Sequence, residues 1–184
     1  MVQRGCLEKN ILLTGPPGVG KTTMIQKIAE RIKQFHPVGF YTSEIREGGI
    51  REGFELISLD GRKGLLSHRD LHSPYRVGKY KVDVKGFEKF LVAIPFLERS
   101  TVVIVIDEIG KMECLSDKFQ ELLGRLLDGE KWVIATIALK GTGLIDQVKK
   151  RHDIKLFEIT RASRGSLLEK IVQYVTGPYG LVQD

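Results

Sequence analysis

The sequence predicts an α/β fold, a three-layer sandwich in which a mostly parallel central sheet lies between helices. Short apolar or β-branched runs alternate with segments whose apolar residues recur at helical spacing. A glycine-rich loop separates the first such run from the first helical segment. A β-prone stretch with two glycine-containing turns then follows, which predicts a small antiparallel β insertion after the first helix. Strands and helices that alternate in this way are typical of a parallel sheet with right-handed crossovers.

The chain of 184 residues is long enough for one well-cored domain and too short for two. We therefore predict a single domain over residues 1–184, within which residues 38–84 form the β-rich insertion. A hydrophobic content of 42% and a charged content of 28% are ordinary for a globular protein. The net charge is +6, but the Lys and Arg residues are scattered, which favours a solvated basic surface over a nucleic-acid site.

Cysteine usage and the N-terminal sequence predict the location of the protein. Cys6 and Cys114 lie far apart and form no C-x-x-C pair, which fits a reducing compartment. Charged residues interrupt the N-terminal stretch, so we expect no signal peptide. No apolar run approaches the ~20 residues that span a bilayer. We expect a cytoplasmic protein that acts as a monomer and does not associate with membranes.

The first half of the chain is expected to contain one helix and most of the short strands. Asn10–Thr14 reads as a buried strand, and a helix starts at about Thr22 and ends before Pro37. The helix is predicted from apolar residues at helical spacing: Met24, Ile25, Ile28, Ala29 and Ile32. The β-prone stretches are expected at 38–42, 50–59 and 80–84, with hairpin turns at 47–49 and 60–62.

The second half is expected to alternate regularly between helices and strands. Residues 102–106 are an uninterrupted β-branched run, which is typical of a central strand buried on both faces, and we place this strand at 101–106. Helices are predicted near 87–97, 119–127, 143–151 and 167–175, and further strands at 132–136 and 154–159.

The loop between the first strand and the first helix carries the strongest functional motif. Gly15–Thr22 matches G-x-x-x-x-G-K-[ST] in a strand–loop–helix setting. Its glycines let the backbone turn so that N–H groups surround a phosphate at the helix N-terminus. Lys21 would contact the β- and γ-phosphates and act in catalysis, and Thr22 would ligate Mg²⁺. The predicted nucleotide contacts here are Gly15, Pro16, Pro17, Gly18, Val19, Gly20, Lys21, Thr22 and Thr23.

Two acids at the end of an apolar strand predict the rest of the site. In the neighbouring strand 104–108, Asp107 would complete the Mg²⁺ shell, usually through water. Glu108 would orient the water that attacks the γ-phosphate and accept its proton. The alternative is an ordinary strand-end turn, which acids favour.

Other residues near these acids have two interpretations. Lys111 and Glu113 could belong to the site or begin a solvated helix, and Thr136 could touch the γ-phosphate or be a core or turn residue. The transition state usually needs further positive charge. Candidates are Arg46, Arg51, Arg161 and Arg164, each of which could instead be a surface residue. The loop 161–164 could also stack on the base.

Taken together, these residues resemble the small P-loop nucleoside-triphosphatases, a family that includes the human cancer-related nucleoside-triphosphatase and archaeal and bacterial homologues. The resemblance covers most of the chain, and the stretches 39–46 and 107–113 together are specific for it. The matching stretches are 15–22, 39–46, 51–54, 77–80, 106–113, 135–137 and 155–157.

The resemblance implies the P-loop NTPase fold and slow Mg²⁺-dependent hydrolysis of ATP, GTP and other nucleoside triphosphates, with broad base tolerance. It supports Glu108 as the catalytic glutamate. It also implies that the whole stretch around the acids borders the nucleotide, namely Ile104, Val105, Ile106, Asp107, Glu108, Ile109, Gly110 and Lys111. Cys114 stands where an apolar residue is expected, a departure that affects no catalytic position.

Two other functions remain open at this point. A nucleotide or small-molecule kinase could use the same loop, with residues 38–84 binding the acceptor, although no arginine-dense lid segment is present. A nucleotide-gated nucleic-acid-binding module is possible but not favoured, because few aromatic residues accompany the basic ones.

Overall fold

A computed structural model of the chain describes residues 8–177. Cys6, which the sequence analysis used, lies outside this range. No helix in the described range has the length and apolar character that would let it cross a bilayer. The elements are β1 (Asn10–Thr14), α1 (Lys21–Arg31), β2 (Val38–Glu47), β3 (Ile50–Ser58), β4 (Lys63–His68), β5 (Arg76–Val77), β6 (Tyr80–Val82), α2 (Val84–Val92), β7 (Val103–Ile109), α3 (Asp117–Leu127), β8 (Trp132–Ile137), α4 (Leu144–Lys149), β9 (Ile154–Glu158) and α5 (Arg164–Thr176).

All the strands join one nine-stranded sheet in the order β5-β6-β4-β3-β2-β7-β8-β1-β9. Strands β2, β7, β8, β1 and β9 pair in parallel. The strands between α1 and α2 extend this sheet in antiparallel pairs. The predicted α/β class, with a mostly parallel core and an antiparallel addition after the first helix, is confirmed. The division of the chain into one domain with an insertion at 38–84 stays a prediction.

The sheet separates two hydrophobic cores, because side chains on successive residues of a buried strand point to opposite faces. On β1, Ile11 and Leu13 pack with α1 and α5, whereas Leu12 packs on the opposite face with α2, α3 and α4. On β7, Val103 and Val105 face α1 while Ile104 and Ile106 face α2 and α3. Strands buried on both faces therefore position the loops at their carboxyl ends.

Capping side chains set two helix starts that the sequence interpretation placed differently. The strand predicted for 80–84 ends at Val82, because the Asp83 carboxylate accepts a hydrogen bond from Gly86 N at 2.9 Å and caps α2. The helix predicted for 87–97 therefore begins at Val84 and ends at Val92, three residues before Pro95. The helix predicted for 119–127 begins two residues earlier, at Asp117, because the Ser116 hydroxyl accepts a hydrogen bond from Phe119 N at 3.1 Å and caps α3.

Strand β7 departs from the prediction in length and in position. It runs from Val103 to Ile109 and so continues past both acids instead of ending at them, and its pairing with β8 shifts register between Ile106 and Ile109. The strand that carries the acids was expected beside the strand of the phosphate loop. In the sheet, β8 lies between β7 and β1.

The pairing of β2 with β7 depends on Gly39. Its φ is 142°, and a Cβ added there would lie 1.8 Å from the Val105 carbonyl oxygen. A side chain at this position would push apart the two strands, which pair in parallel over residues 38–40 and 104–106.

We expect Gly39→Ala to lower the free energy of unfolding by about 2 kcal/mol or more, because the clash is with backbone that cannot move aside. Gly124→Ala is the matched control, since a Cβ at this position of α3 meets nothing within 4 Å. The control should leave stability unchanged or raise it slightly, as alanine favours helix. Urea unfolding of the two variants checks the expectation, and equal stabilities would contradict it.

Candidate nucleotide-phosphate site

The phosphate loop spans residues 15–20, between β1 and the first turn of α1. Gly15 has φ 154°, and a Cβ there would lie 2.7 Å from the Ile159 carbonyl oxygen. Gly18 and Gly20 have φ values of 74° and 99°, in the left-handed region that glycine adopts readily. The glycines thus permit a loop whose N–H groups can surround an anion at the positive end of α1.

Lys21 lies over this loop. Its Nζ donates to the carbonyl oxygens of Gly15 at 3.1 Å and Pro16 at 3.4 Å. The loop residues Pro16 and Pro17 are exposed, while Val19 is buried beneath them. The ammonium group is therefore held at the open side of the loop, where phosphate oxygens would bind.

Asp107 is fixed by threonines from the strands on both sides of β7. Only 1% of the residue is exposed. Thr136 on β8 donates its hydroxyl to Asp107 Oδ1 at 2.5 Å, and Thr42 on β2 donates to Oδ2 at 3.3 Å. A buried carboxylate needs such partners because burial penalises the charged form. Thr136 is therefore more than a core residue, since its hydroxyl donates a hydrogen bond to Asp107, the candidate metal ligand.

Sequence reasoning did not single out Thr42. A signal was available, because Thr42 lies two residues after the buried Phe40 and therefore on the same face of β2. A hydroxyl on the same strand face as a core aromatic needs a hydrogen-bond partner, which makes Thr42 a candidate for contact with a neighbouring polar group.

Glu108 lies next to Asp107 and is half-buried. Burial raises the pKa of Glu108 above its ordinary value, the Lys21 ammonium opposes this rise, and the Asp107 carboxylate adds to it. The Lys21 ammonium is therefore close enough to Glu108 to affect it, although Lys21 comes from a separate part of the chain.

The alternative in which Glu113 begins a solvated helix is wrong, because Glu113 is buried. It lies in a short 3-10 turn, Glu113–Leu115, and only 4% of it is exposed. Burial raises the pKa of Glu113 to about 8, and the Glu108 and Asp107 carboxylates add to the rise. Gly110 lies between the acids, since a Cβ there would be 2.8 Å from Glu113 Oε2 and 3.5 Å from Glu108 Cδ. Lys111, in contrast, is exposed.

Two of the four candidate arginines are engaged within the β2–β3 hairpin. Arg46 and Arg51 both form ion pairs with Glu44, with N···O distances of 2.6 Å and 2.7 Å. Arg51 also donates from Nε to the Tyr80 hydroxyl at 2.9 Å, and its guanidinium lies 5.1 Å from the centre of the Phe54 ring. Hairpin residues and Tyr80 of β6 hold these arginines in place.

The other two arginines lie beside the phosphate loop. Arg161 and Arg164 are exposed and line a cleft of about 390 Å³. The remaining lining residues come from α1 and α5 and from the end of the loop: Gly20, Thr23, Met24, Lys27, Gly165 and Leu168. The structure therefore brings this pair, and not the hairpin pair, next to the first turn of α1.

The remaining candidate residues support the site from within the core. Ile104, Val105, Ile106 and Ile109 are fully buried, and their side chains form the core that holds β7 in place. That the stretch 104–111 borders a nucleotide stays a prediction.

Thr22 and Asp107 are the residues whose donor chemistry suits a magnesium ion. Thr22 lies in the first turn of α1 and is half-buried, and its hydroxyl is a hard oxygen donor, as is the carboxylate of Asp107. Because Thr136 and Thr42 already donate to the Asp107 oxygens, a contact through water suits this carboxylate better than a direct one.

Comparisons with known proteins agree over nearly the whole chain. A family model described as NTPase matches residues 10–172. The chain is 47% identical over 165 residues to nucleoside-triphosphatase THEP1 of Thermotoga maritima, covering 88% of this chain and 92% of that protein. It is 40% identical over 187 residues to the cancer-related nucleoside-triphosphatase of Homo sapiens, covering 92% of this chain and 97% of that protein.

Solved structures give the same result for the fold. The crystal structure of THEP1 from Aquifex aeolicus superposes with a TM-score of 0.76 at 36% identity, covering 88% of this chain and 96% of that one. The solution structure of the human cancer-related nucleoside triphosphatase gives 0.78 at 38% identity, with 92% and 98% covered. At these identities the likeness extends beyond the fold class to the arrangement of the individual elements.

The buried Glu113 predicts how stability depends on pH. Its pKa rises from an ordinary 4.5 to about 8 on folding, so the folded state favours the protonated form. The resulting stability is fully present below about pH 4.5 and is lost progressively as the pH rises to about 8. Glu113→Gln should remove this loss, so that the variant's Tm relative to the parent rises between about pH 5 and about pH 8.

Thermal unfolding across this pH range measures the effect. Glu121→Gln, at an exposed position of α3, is the control and should follow the parent at every pH. A constant difference between Glu113→Gln and the parent across the range would contradict the prediction.

Proposed function

The chain belongs to the NTPase family and is a nucleoside-triphosphate phosphohydrolase, and we propose that it uses Mg²⁺, with Glu108 orienting the attacking water. We propose ATP, GTP and other nucleoside triphosphates as substrates, with broad base tolerance. The products are the nucleoside diphosphate and inorganic phosphate.

One observation carries the proposed mechanism: Lys21 follows the loop after β1, Glu108 lies in the last residues of β7, and both strands pair in parallel with β8. The group expected to bind the γ-phosphate and the group expected to activate water thus lie at one place. The sheet brings them together because β1 and β7 are parallel and their carboxyl ends share one edge.

The loop N–H groups, Lys21 and Glu108 have different proposed roles in catalysis. Backbone N–H groups of the loop bind the β-phosphate, and Lys21 neutralises charge that develops on the γ-phosphoryl oxygens. Glu108 accepts a hydrogen bond from the attacking water, holds it in line and takes up its proton as the bond to phosphorus forms. A half-buried carboxylate with a raised pKa is a stronger base than an exposed one, which suits this role.

The proposed magnesium ion would be held by Thr22 and, through water, by Asp107. When bound, it supplies charge that neutralises the β- and γ-phosphate oxygens. The residues of this chain contribute the geometry: Thr136 and Thr42 fix the carboxylate of Asp107, and α1 fixes the hydroxyl of Thr22.

We further propose that Arg161 and Arg164 contact the nucleoside. Their cleft adjoins Gly20 and Thr23, which follow the loop that would hold the phosphates. Both guanidinium groups are exposed, so they can stack on any base without selecting one, which fits broad base tolerance. A cytoplasmic location and a monomeric state are also proposals, based on composition.

Lys21→Ala should abolish binding of MgATP and its turnover, because the loop loses its point charge.

Glu108→Gln should retain MgATP while kcat falls by about a hundredfold or more, since an amide cannot accept the proton. Phosphate release under single-turnover conditions and equilibrium binding of a labelled nucleotide measure the two effects separately.

Glu121→Gln serves as the matched control and should hydrolyse ATP at the parent rate, because the residue is exposed on α3. If Glu108→Gln turns over like this control, Glu108 is not the residue that positions water.

Arg161→Ala and Arg164→Ala should each raise KM several-fold while kcat changes little. Each arginine is proposed to bind the nucleoside equally well in the ground state and in the transition state, so its loss weakens both by the same amount. Arg99→Ala, an exposed arginine before β7 at the opposite end of the sheet, should change neither. Steady-state kinetics with ATP and GTP check this. A fall in kcat at constant KM would instead assign the altered arginine to the transition state.

A further inference from the structure

A cavity of about 200 Å³ adjoins Glu108. It lies between the β2–β3–β4 strands and the turn that follows β7. Its lining residues are Thr42, Phe54, Leu66, Val77, Glu108, Gly110, Lys111, Met112 and Glu113. None of them belongs to the phosphate loop, so the cavity is separate from the place where the phosphates would bind.

The size of this cavity exceeds what hydrolysis requires. An attacking water needs the space of one molecule, whereas about 200 Å³ corresponds to roughly seven waters at their liquid volume. Much of the wall is apolar, formed by Phe54, Leu66, Val77 and Met112. Apolar walls offer water no hydrogen bonds, so they favour an organic occupant.

Glu108 is one of four polar residues that line the cavity. The Thr42 hydroxyl and the buried Glu113 carboxyl group lie on its wall, while Lys111 is exposed at its rim. Glu108 lies in the last residues of β7, which pairs in parallel with β8 as β1 does, so the loop after β1 that leads to Lys21 lies at the same edge of the sheet. The proposed catalytic carboxylate therefore lies between the expected γ-phosphate position and a mostly apolar space.

We propose that this cavity binds a small primary alcohol with a short apolar body, and that the protein transfers the γ-phosphoryl group to its hydroxyl in competition with water. The inference rests on the proposed function of Glu108. The alcohol oxygen forms a bond to the γ-phosphorus, and the bond from that phosphorus to the β–γ bridging oxygen breaks. The electron pair leaves with the nucleoside diphosphate, and the hydroxyl proton goes to Glu108. The organic product is a phosphate monoester.

The charge of the wall favours an alcohol over other acceptors. A carboxylate would be repelled by Glu108 and lose its hydration beside Glu113. A protonated amine has no lone pair with which to attack phosphorus. A neutral hydroxyl compound avoids both difficulties, and the cavity volume admits roughly five to seven non-hydrogen atoms.

The test uses the full chain with MgATP and either 1-butanol or methanol at equal molarity. Phosphorus NMR measures the phosphate monoester and the inorganic phosphate formed. We expect butyl phosphate to exceed methyl phosphate by at least about tenfold, because the three additional methylenes leave water for the apolar wall.

Val77→Phe fills the cavity from its half-buried edge and should bring the butyl-to-methyl ratio close to one. Met112→Phe is a second filling variant in case the first does not fold, as judged by thermal unfolding. Val102→Phe makes the same change at an exposed position outside the cavity and should keep the parent ratio.

The outcomes separate this inference from the proposed hydrolysis. Phosphate release in water without any butyl phosphate overturns the inference and leaves hydrolysis standing. Equal yields from the two alcohols, or a butyl-to-methyl ratio that both filling variants leave unchanged, also overturn it. Butyl phosphate without phosphate release in water supports the inference and overturns the proposed hydrolysis.

Discussion

The candidate site depends on one buried carboxylate and the hydroxyls that hold it. Asp107 is almost fully inaccessible to water, and an unpartnered charge at that depth would be strongly destabilising. Thr136 and Thr42 supply the partners from the two strands that flank β7. The arrangement therefore requires β2, β7 and β8 to keep their order and their register. A shift of one residue in either pairing would turn a threonine to the other face of the sheet.

The close approach of β2 to β7 serves this arrangement. The two strands pair over only three residues, and Phe40 stands opposite Ile106 in the last pair. Thr42 then comes two residues later on the same face, where it reaches the Asp107 carboxylate. Gly39 permits the pairing, because its backbone lies against Val105 with no space for a side chain. A glycine in the strand thus contributes to the site without touching it.

The sequence predicted the parts of the site that local spacing encodes. The loop Gly15–Thr22 was recognisable because each glycine, the lysine and the threonine have fixed places between a strand and a helix. The extension of β7 through its acids was not predictable, since acidic residues are depleted in strands. The order of the strands was also not predictable from the sequence, because no local sequence pattern indicates that β8 lies between β1 and β7. Glu113 was ambiguous because charged neighbours resemble a solvated helix start, and only the packing of the turn shows its burial.

The width of the sheet has a consequence for the behaviour of the protein at high concentration. Strands at the edge of a sheet present unpaired N–H and C=O groups, which can recruit further chains. On the side of the antiparallel strands, the outermost strand is β5, which has only two residues, Arg76 and Val77. Gly78 turns the chain back at once into β6, with φ 60°. A strand of two residues offers little backbone for pairing with another chain, so β5 is a poor template for intermolecular sheet growth.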